Sequence, residues 1–153
     1  MEAAANQITQ QPVLAKHYVT FRAGELFFGI DVLQVQEIIR HQSMTPVPLA
    51  PAAVKGLINL RGQIIAALDL RSILGAESGI SDERTMNVVV RADDETISLL
   101  VDSIGDVIQV DERDFENVPE TIAPHIRCIL HGVFKLKNEL MLVLNSGACM
   151  ERE

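Results

Sequence analysis

Apolar and polar residues alternate over much of this chain, a pattern typical of β-strands that bury one face. The alternating runs come in pairs, separated by short turns such as Ala23-Gly24-Glu25, Arg61-Gly62 and Lys137-Asn138. Such pairs predict β-hairpins. The strands predicted in this way cover residues 18–22, 26–30, 57–60, 63–68, 88–91, 97–101, 107–110, 132–136 and 139–144.

One stretch has a longer period. Asp31 is a good helix N-cap, and Gln34 three residues later completes a variant of the capping box. The apolar residues of this stretch share one face of an ideal helix, at Val32, Val35, Ile38 and Ile39. The pattern predicts a short amphipathic helix from Asp31 to about Arg40.

Turn and loop residues divide the rest of the chain. Asp69 to Leu74 predicts one helical turn, which Gly75 closes. Prolines break regular structure across residues 45–51, and residues 111–124 are acidic and mostly loop. An acidic loop at residues 76–84 is the predicted boundary between two halves.

The two halves resemble each other in the same order. Residues 56–69 align with residues 132–145, which repeat the glycine, a leucine, the basic residue before the turn and the apolar alternation. A second match places Leu26, Phe28, Ile30 and Asp31 over Ile97, Leu99, Val101 and Asp102. A duplication predicts a mainly β fold of two small barrels or curled sheets. Because each half is near the lower size limit for folding alone, we expect a shared apolar seam with a groove at its surface.

Composition limits the possible partners. The chain has 153 residues, of which 48% are hydrophobic and only 4% aromatic, so Val, Ile and Leu must form the core. A net charge of −8 disfavours nucleic acid, because phosphate binding needs clustered basic residues. Residues 72–153 carry 16 acidic and 7 basic residues. This asymmetry predicts either a solvated acidic face or two halves that face different partners.

Cysteine usage and the first residues indicate a cellular compartment. Cys128 and Cys149 are too few for a disulfide framework. The first residues have no basic start and no apolar signal core, and no apolar run approaches the roughly 18 residues of a membrane helix. We expect a cytoplasmic protein without direct membrane insertion, in which residues 1–15 are a disordered leader.

Catalytic motifs are missing from the sequence. It has no Gly-x-Ser-x-Gly elbow and no glycine-rich phosphate loop, and its carboxylates cluster in turn segments. The prediction is a protein that is not an enzyme and holds no cofactor or metal. One alternative stays open, a small metal-binding or enzymatic domain that uses His125, Cys128 and His131, although a strand after Cys128 would separate these side chains.

Four segments are distinctive: residues 29–38 (GIDVLQVQEI), 55–62 (KGLINLRG), 69–71 (DLR) and 101–107 (VDSIGDV). In this order and spacing they resemble the chemotaxis coupling protein family, CheW, over about residues 17–145. The resemblance implies two five-stranded SH3-like β-barrels that share a hydrophobic seam, with a few short helices.

The resemblance also implies domain bounds and a function. A single CheW-like domain would cover residues 16–150, with a first barrel at about 17–75 and a second at about 85–146. Members of the family are non-catalytic adaptors in bacterial chemotaxis that couple chemoreceptor cytoplasmic tips to the regulatory domain of a CheA-type histidine kinase. The chain would then be cytoplasmic and recruited to membrane-associated receptor arrays. An adaptor for pilus motility or a second-messenger pathway is the alternative within this class.

Site residues carried over from the resemblance form two sets. The implied receptor-binding groove comprises Val32, Val35, Glu37, Val101 and Ile104. The implied coupling and partner-contact positions are Gly56, Asn59, Arg61 and Gly62. Simple core burial would explain the valines equally well, since their helical spacing alone predicts it. Arg61 would otherwise pair with a nearby acid such as Asp69.

Overall fold

The computed structural model describes residues 15–75 and 85–150, which form two five-stranded sheets joined by short helical turns. The predicted leader lies outside the described residues, except for Ala15, and so does the predicted boundary loop at 76–84. The strands are β1 (Ala15–Ala23), β2 (Leu26–Asp31), β3 (Val35–Arg40), β4 (Val54–Leu60), β5 (Gln63–Asp69), β6 (Met86–Ala92), β7 (Glu95–Val101), β8 (Ser103–Asp111), β9 (Leu130–Lys135) and β10 (Leu140–Leu144).

The sheets are not divided between the chain halves. The first sheet has the order β8-β1-β2-β10-β9, and the second has the order β3-β6-β7-β5-β4. Each sheet therefore combines one hairpin from one half with three strands from the other. A first barrel at 17–75 and a second at 85–146 must be corrected to this interleaved arrangement, because strand pairing across the chain decides membership of a sheet, not proximity in sequence.

The internal repeat is present in three dimensions. In the first sheet β10 runs parallel to β2, with Leu142 beside Phe28. In the second sheet β5 runs parallel to β7 in the same way, with Leu68 beside Leu99. The remaining strand pairs are antiparallel. Both segments matched in sequence thus occupy equivalent places in the two sheets.

The glycine repeated between the halves allows the chain to approach an edge strand closely. Thr45 forms an isolated bridge with Leu57 beside Gly56, through hydrogen bonds of 2.9 and 2.8 Å. A Cβ atom on Gly56 would lie 2.9 Å from the Thr45 carbonyl oxygen. In the other half Glu116 bridges Val133, the residue after Gly132, through hydrogen bonds of 2.9 Å. A Cβ atom on Gly132 would lie 2.6 Å from the Glu116 carbonyl oxygen. A side chain fits at neither position.

The hydrophobic core has three parts. The largest lies between the sheets and takes residues from both, among them Phe28 from β2 and Leu99 from β7. Each sheet also has one smaller cluster, on the face opposite the shared core. Strand β6 shows how the pleat divides them, since Val88 and Val90 join the shared core and Val89 joins the smaller cluster of the second sheet. The expected seam between the halves is therefore a seam between the two interleaved sheets.

The amphipathic helix predicted from Asp31 to about Arg40 is wrong. Asp31 does cap a turn, where its Oδ1 accepts a hydrogen bond from the Leu33 N–H at 2.9 Å, but that turn is a 3-10 helix of only Val32–Gln34. The chain continues as strand β3, which pairs with β6 and has a register shift between Val35 and Glu37. The bulge interrupts the strict alternation of the strand, so the spacing of its apolar residues resembles a helical period. The β-branched residues of β3 also favour a strand, which pairs with the edge of β6.

Three short α-helices and a second 3-10 turn complete the described residues: α1 (Leu70–Ile73), α2 (Pro124–Arg127), α3 (Ser146–Met150) and the 3-10 turn Glu112–Asp114. The predicted helical turn before Gly75 is confirmed as α1, capped by the Asp69 carboxylate, which accepts from the Arg71 N–H at 3.0 Å. In the described part of the chain, every helix is too short to cross a lipid bilayer.

Candidate functional site

An ion pair joins the two edges of the second sheet. Arg61 lies at the tip of the β4–β5 hairpin, and its guanidinium donates two parallel hydrogen bonds to the Glu37 carboxylate on β3, one of them 2.9 Å long from Nη2 to Oε1. These hydrogen bonds hold the pKa of Glu37 below its usual range and raise the pKa of Arg61. The pair connects the strand that carries Val35 with an exposed turn.

The acid that Arg61 contacts is not the one suggested by the sequence. Asp69 is 8% exposed and its carboxylate caps α1, so it is not available at the hairpin tip. Glu37 takes its place because β3 and β4, at opposite ends of the strand order, approach each other when the sheet curls. That approach is a tertiary contact between residues 24 positions apart.

Asn59 and Gly62 determine the shape of the turn that presents Arg61. The Asn59 Oδ1 accepts a hydrogen bond from the Gly62 N–H at 2.9 Å. Arg61 and Gly62 have φ values of +55° and +86°, and two successive positive φ values are the mark of a tight type I′ hairpin turn. Both residues are exposed. Gly56 lies further along β4 and keeps Thr45 beside it, so it too acts through the backbone.

The proposed groove residues divide into surface and core. Val32 is 36% exposed, whereas Val35 and Ile104 are half-buried and pack against the shared core from β3 and β8. Since these two strands belong to different sheets, their apolar side chains mark the seam. Val101 is only 1% exposed and belongs to the core, so its place on an accessible groove wall must be corrected. The last residue of β7 faces inward because the strand is covered on both faces.

The Asp69-Leu70-Arg71 segment ties the two sheets together. The Arg71 guanidinium donates to Asp102 Oδ2 at 2.8 Å, and the same oxygen accepts from the Gly24 N–H, also at 2.8 Å. Asp102 directly precedes β8, and Gly24 lies in the turn between β1 and β2. Arg71 and Asp102 are both largely buried. The segment therefore contributes to the junction between the two sheets.

Sequence reasoning missed two exposed apolar side chains near these positions. Leu33 is 89% exposed beside Val32, and Ile64 is 65% exposed directly across the hairpin from Asn59. The helical period had placed Leu33 away from the apolar face. Ile64 does have a sequence signal, because it adjoins Ile65, and in an alternating strand one of two successive apolar residues faces solvent. Isolated exposed side chains are common, but these two extend the surfaces already described.

The metal-binding alternative finds no geometric support among the described residues. Within residues 15–75 and 85–150 no three His, Cys, Asp or Glu side chains are grouped as metal ligands would be. His125 Nε2 lies 3.1 Å from the Leu74 carbonyl oxygen, and the Cys128 thiol donates to the His125 carbonyl at 3.3 Å. His131 is on β9, beyond the turn that follows α2.

Comparison with known proteins places this geometry in a family. The family model described as CheW-like domain matches residues 17–153. Chemotaxis protein CheW of Treponema pallidum is 33% identical over 83% of this chain and 77% of its own length. The corresponding protein of Klebsiella aerogenes is 32% identical over 92% of this chain and 84% of its own.

Two further similarities concern structure and pathway. The crystal structure of scaffolding protein TtCheW from Thermoanaerobacter tengcongensis superposes with a TM-score of 0.78 at 27% identity, over 88% of this chain and 89% of that one. Protein PilI of Pseudomonas aeruginosa is 26% identical over 86% of this chain and 74% of its own length. On the family match and these relatives, the chain belongs to the CheW-like family.

Proposed function

We propose that this chain is a non-catalytic adaptor that couples chemoreceptor cytoplasmic tips to the regulatory domain of a CheA-type histidine kinase in bacterial chemotaxis. The observation that carries the proposal is the Glu37–Arg61 pair, which connects an apolar seam with an exposed hairpin tip. Relatives named chemotaxis protein CheW and a neighbour named a scaffolding protein support it. Such an adaptor acts in the cytoplasm at membrane-associated receptor arrays.

The receptor would dock at the seam between the sheets. Val32 offers exposed apolar surface there, and Val35 and Ile104 line the junction from either side. Receptor tips are helical, and an amphipathic helix binds a groove through a few apolar side chains. Leu33, almost fully exposed next to Val32, gives this surface an additional apolar anchor.

The kinase would dock at the β4–β5 hairpin tip. Arg61 is exposed there although Glu37 fixes its guanidinium, and Ile64 adds an apolar side chain on the same hairpin. An arginine with a fixed head group and a neighbouring aliphatic residue are usual components of interface hot spots. Asn59 and Gly62 would contribute indirectly, through the backbone of the turn.

A second pathway deserves a test because one relative is protein PilI. The same adaptor geometry would serve a chemosensory system for pilus motility with a different kinase and receptor. Affinity capture with the full chain from its own cells would separate the two, since a flagellar chemotaxis kinase supports our proposal and a pilus-associated kinase supports the alternative.

Separate docking surfaces for receptor and kinase can be tested by measuring whether the two partners bind the chain at the same time. The full chain, the kinase regulatory domain and a soluble receptor-tip fragment from the same organism would be compared pairwise by calorimetry. We expect each partner to bind the chain, and saturation with one partner to leave the affinity for the other unchanged or improved. Competition between the two partners, or failure of the folded chain to bind either, would contradict the proposed function.

A further inference from the structure

A cleft opens at one end of the first sheet, apart from the Arg61 hairpin. It has a volume of about 500 Å³, within the range of ligand-binding pockets. Tyr18 of β1 and Leu144 of β10 lie in its apolar wall, and Phe115, which is 39% exposed, stands at its rim. Phe115 packs edge-on against the buried Phe134 ring with centroids 5.4 Å apart, which fixes its orientation.

Tyr18 brings an unused polar group to this cleft. The residue as a whole is 5% exposed, and its ring packs against Phe134 with centroids 5.5 Å apart. In the part of the chain that the structure describes, its hydroxyl forms no hydrogen bond. The hydroxyl oxygen is not among the fully buried atoms that lack a partner, so it keeps some exposure where Tyr18 lines the cleft and is open to a ligand. Burial raises the pKa of Tyr18, so the group is a neutral hydroxyl that can both donate and accept.

Negative charge prevails around the cleft. The Lys16 ammonium lies 3.1 Å from Asp31 and 3.9 Å from Glu112, so one cation serves two carboxylates. Asp31 makes the closer contact with Lys16, and Glu112 is 47% exposed at the mouth. Cationic groups are therefore attracted to Glu112.

The neighbouring segment extends this negative field. Residues 111–120 contain five carboxylates and a single basic side chain. That side chain, Arg113, is held by Asp111 through several hydrogen bonds, the shortest 2.6 Å long. Arg113 therefore neutralises Asp111 rather than Glu112 at the cleft, and the five carboxylates and one basic side chain leave the segment with a net charge of −4.

We propose that this cleft binds an arginine side chain presented by a partner protein. The planar guanidinium would donate to the Glu112 carboxylate and the Tyr18 hydroxyl, and its flat face would lie against Phe115. The aliphatic stem would pack against Leu144, as long cationic side chains do on apolar surface. Asp31 and Gln34 of the cleft flank Val32 and Leu33 of the proposed receptor surface. Because arginine binding is measured without receptor or kinase, this proposal and the proposed function can fail separately.

The test uses the full chain and a minimal probe. Nα-acetyl-arginine amide would be titrated into ¹⁵N-labelled protein, and the matched uncharged probe would be Nα-acetyl-citrulline amide. We expect saturable shifts of the Tyr18, Glu112 and Phe115 amide signals, with a Kd on the order of millimolar for so small a ligand. The citrulline probe should bind about fivefold more weakly or not at all.

Two variants and a control locate the binding. Glu112→Gln should weaken arginine binding about fivefold, and Tyr18→Phe, which keeps the packed ring, about twofold to threefold. Glu120→Gln removes the same charge from the same segment but does not line the cleft, so it should leave the Kd within about twofold of wild type. Unshifted amide signals elsewhere confirm that each variant is folded.

Several results would overturn the proposal. Shifts that do not saturate, or equal binding of both probes, would show that no guanidinium site exists. An equal loss of arginine affinity in Glu112→Gln and Glu120→Gln would show that binding depends only on the general negative field of the acidic segment. Tighter binding of Nα-acetyl-glutamate amide would show that the cleft selects anions through Lys16 instead.

Discussion

The side chain of Arg61 depends on three neighbours for its position. Asn59 and Gly62 shape the turn, and Glu37 fixes the guanidinium from the far edge of the sheet. We predict that Arg61→Ala weakens binding of the kinase domain by about fivefold or more, because a fixed arginine at an interface is a typical hot spot. The melting temperature should stay nearly unchanged, since exposed ion pairs contribute little to stability.

A matched set of variants isolates the pair itself. Arg61→Lys keeps the charge but cannot copy the two parallel hydrogen bonds, so calorimetry should show an intermediate loss. If the pair positions β3, Glu37→Gln should also weaken receptor binding, although it leaves Arg61 intact. Unaltered kinase binding in Arg61→Ala, with an unaltered melting temperature, would show that Arg61 is an exposed turn residue without a role in the interface.

Glu37 also makes a prediction about pH. The Arg61 hydrogen bonds lower the pKa of Glu37. The stabilisation that the ion pair gives the folded state is therefore fully present above the usual carboxyl pKa, and it is lost as the pH falls through the lowered value. The carboxyl-carbon NMR shift of Glu37 should therefore titrate below the ordinary value of 4.5. In Arg61→Ala the titration should return toward that value. A wild-type titration at or above 4.5 would mean that the pair does not form in solution.

The β4–β5 and β9–β10 hairpins depend on one glycine each. We predict that Gly56→Ala and Gly132→Ala each destabilise the fold by about 1–3 kcal/mol, because the new methyl group meets backbone rather than a movable side chain. Gly132→Ala should be worse, since its Cβ would also lie 2.2 Å from the Phe115 ring. Urea unfolding of the purified variants measures both effects.

The control for these variants is another glycine of the chain. Gly147 lies within α3, and the nearest atom to a Cβ there is the Asn145 Oδ1 at 3.4 Å. Gly147→Ala should be neutral or slightly stabilising, because alanine is the better helix former. Equal stability of Gly56→Ala and Gly147→Ala would show that the bridge between Thr45 and Leu57 is not close in solution.

Hairpins could be predicted from the sequence because their information is local. Alternation together with turn residues such as Arg61-Gly62 indicates both strands and their pairing, and the order of the two sequence matches indicates the repeat. The segment after Asp31 could not be predicted in this way. The Asp31 cap is local and could be predicted. The strand that follows depends on pairing with β6, about 50 residues later, and its bulge interrupts the two-residue alternation that would have indicated a strand.

The site was partly predictable for the same reason. Exposed positions such as Arg61 and Gly62 follow from the turn, whereas Glu37 as a partner follows only from the curl of the sheet. The resemblance carried Val101 over to the groove by position, and the sequence alone does not reveal that β7 is covered on both faces, which buries this residue.

Interleaved sheets predict that the two halves of the chain fold as one unit. Neither half contains a complete sheet, since each five-stranded sheet takes strands from both halves. We predict that a chain divided within residues 76–84 yields two fragments that are unfolded alone and fold when mixed, because each supplies the strands that the other lacks. Circular dichroism of the separate and mixed fragments measures this.

The outcome distinguishes the two possible topologies. A cooperative unfolding transition in either isolated fragment would indicate a self-contained barrel at 17–75 or 85–146, contrary to the interleaved order. If the mixture regains the spectrum and the kinase binding of the intact chain, both halves are needed for one structure.

At the scale of the whole molecule, we propose that the seam between the sheets binds the receptor while the β4–β5 hairpin tip binds the kinase. Val32 is the best position to test it, because it is exposed beside the half-buried Val35, so a new charge there does not have to enter the core. The decisive measurement is the affinity of Val32→Asp for the receptor tip and for the kinase domain, each compared with wild type. We predict about a thirtyfold loss for the receptor tip, a change within about twofold for the kinase domain, and an unaltered unfolding midpoint. Unimpaired receptor binding in the folded variant, or an equal loss for both partners, would contradict separate receptor and kinase surfaces.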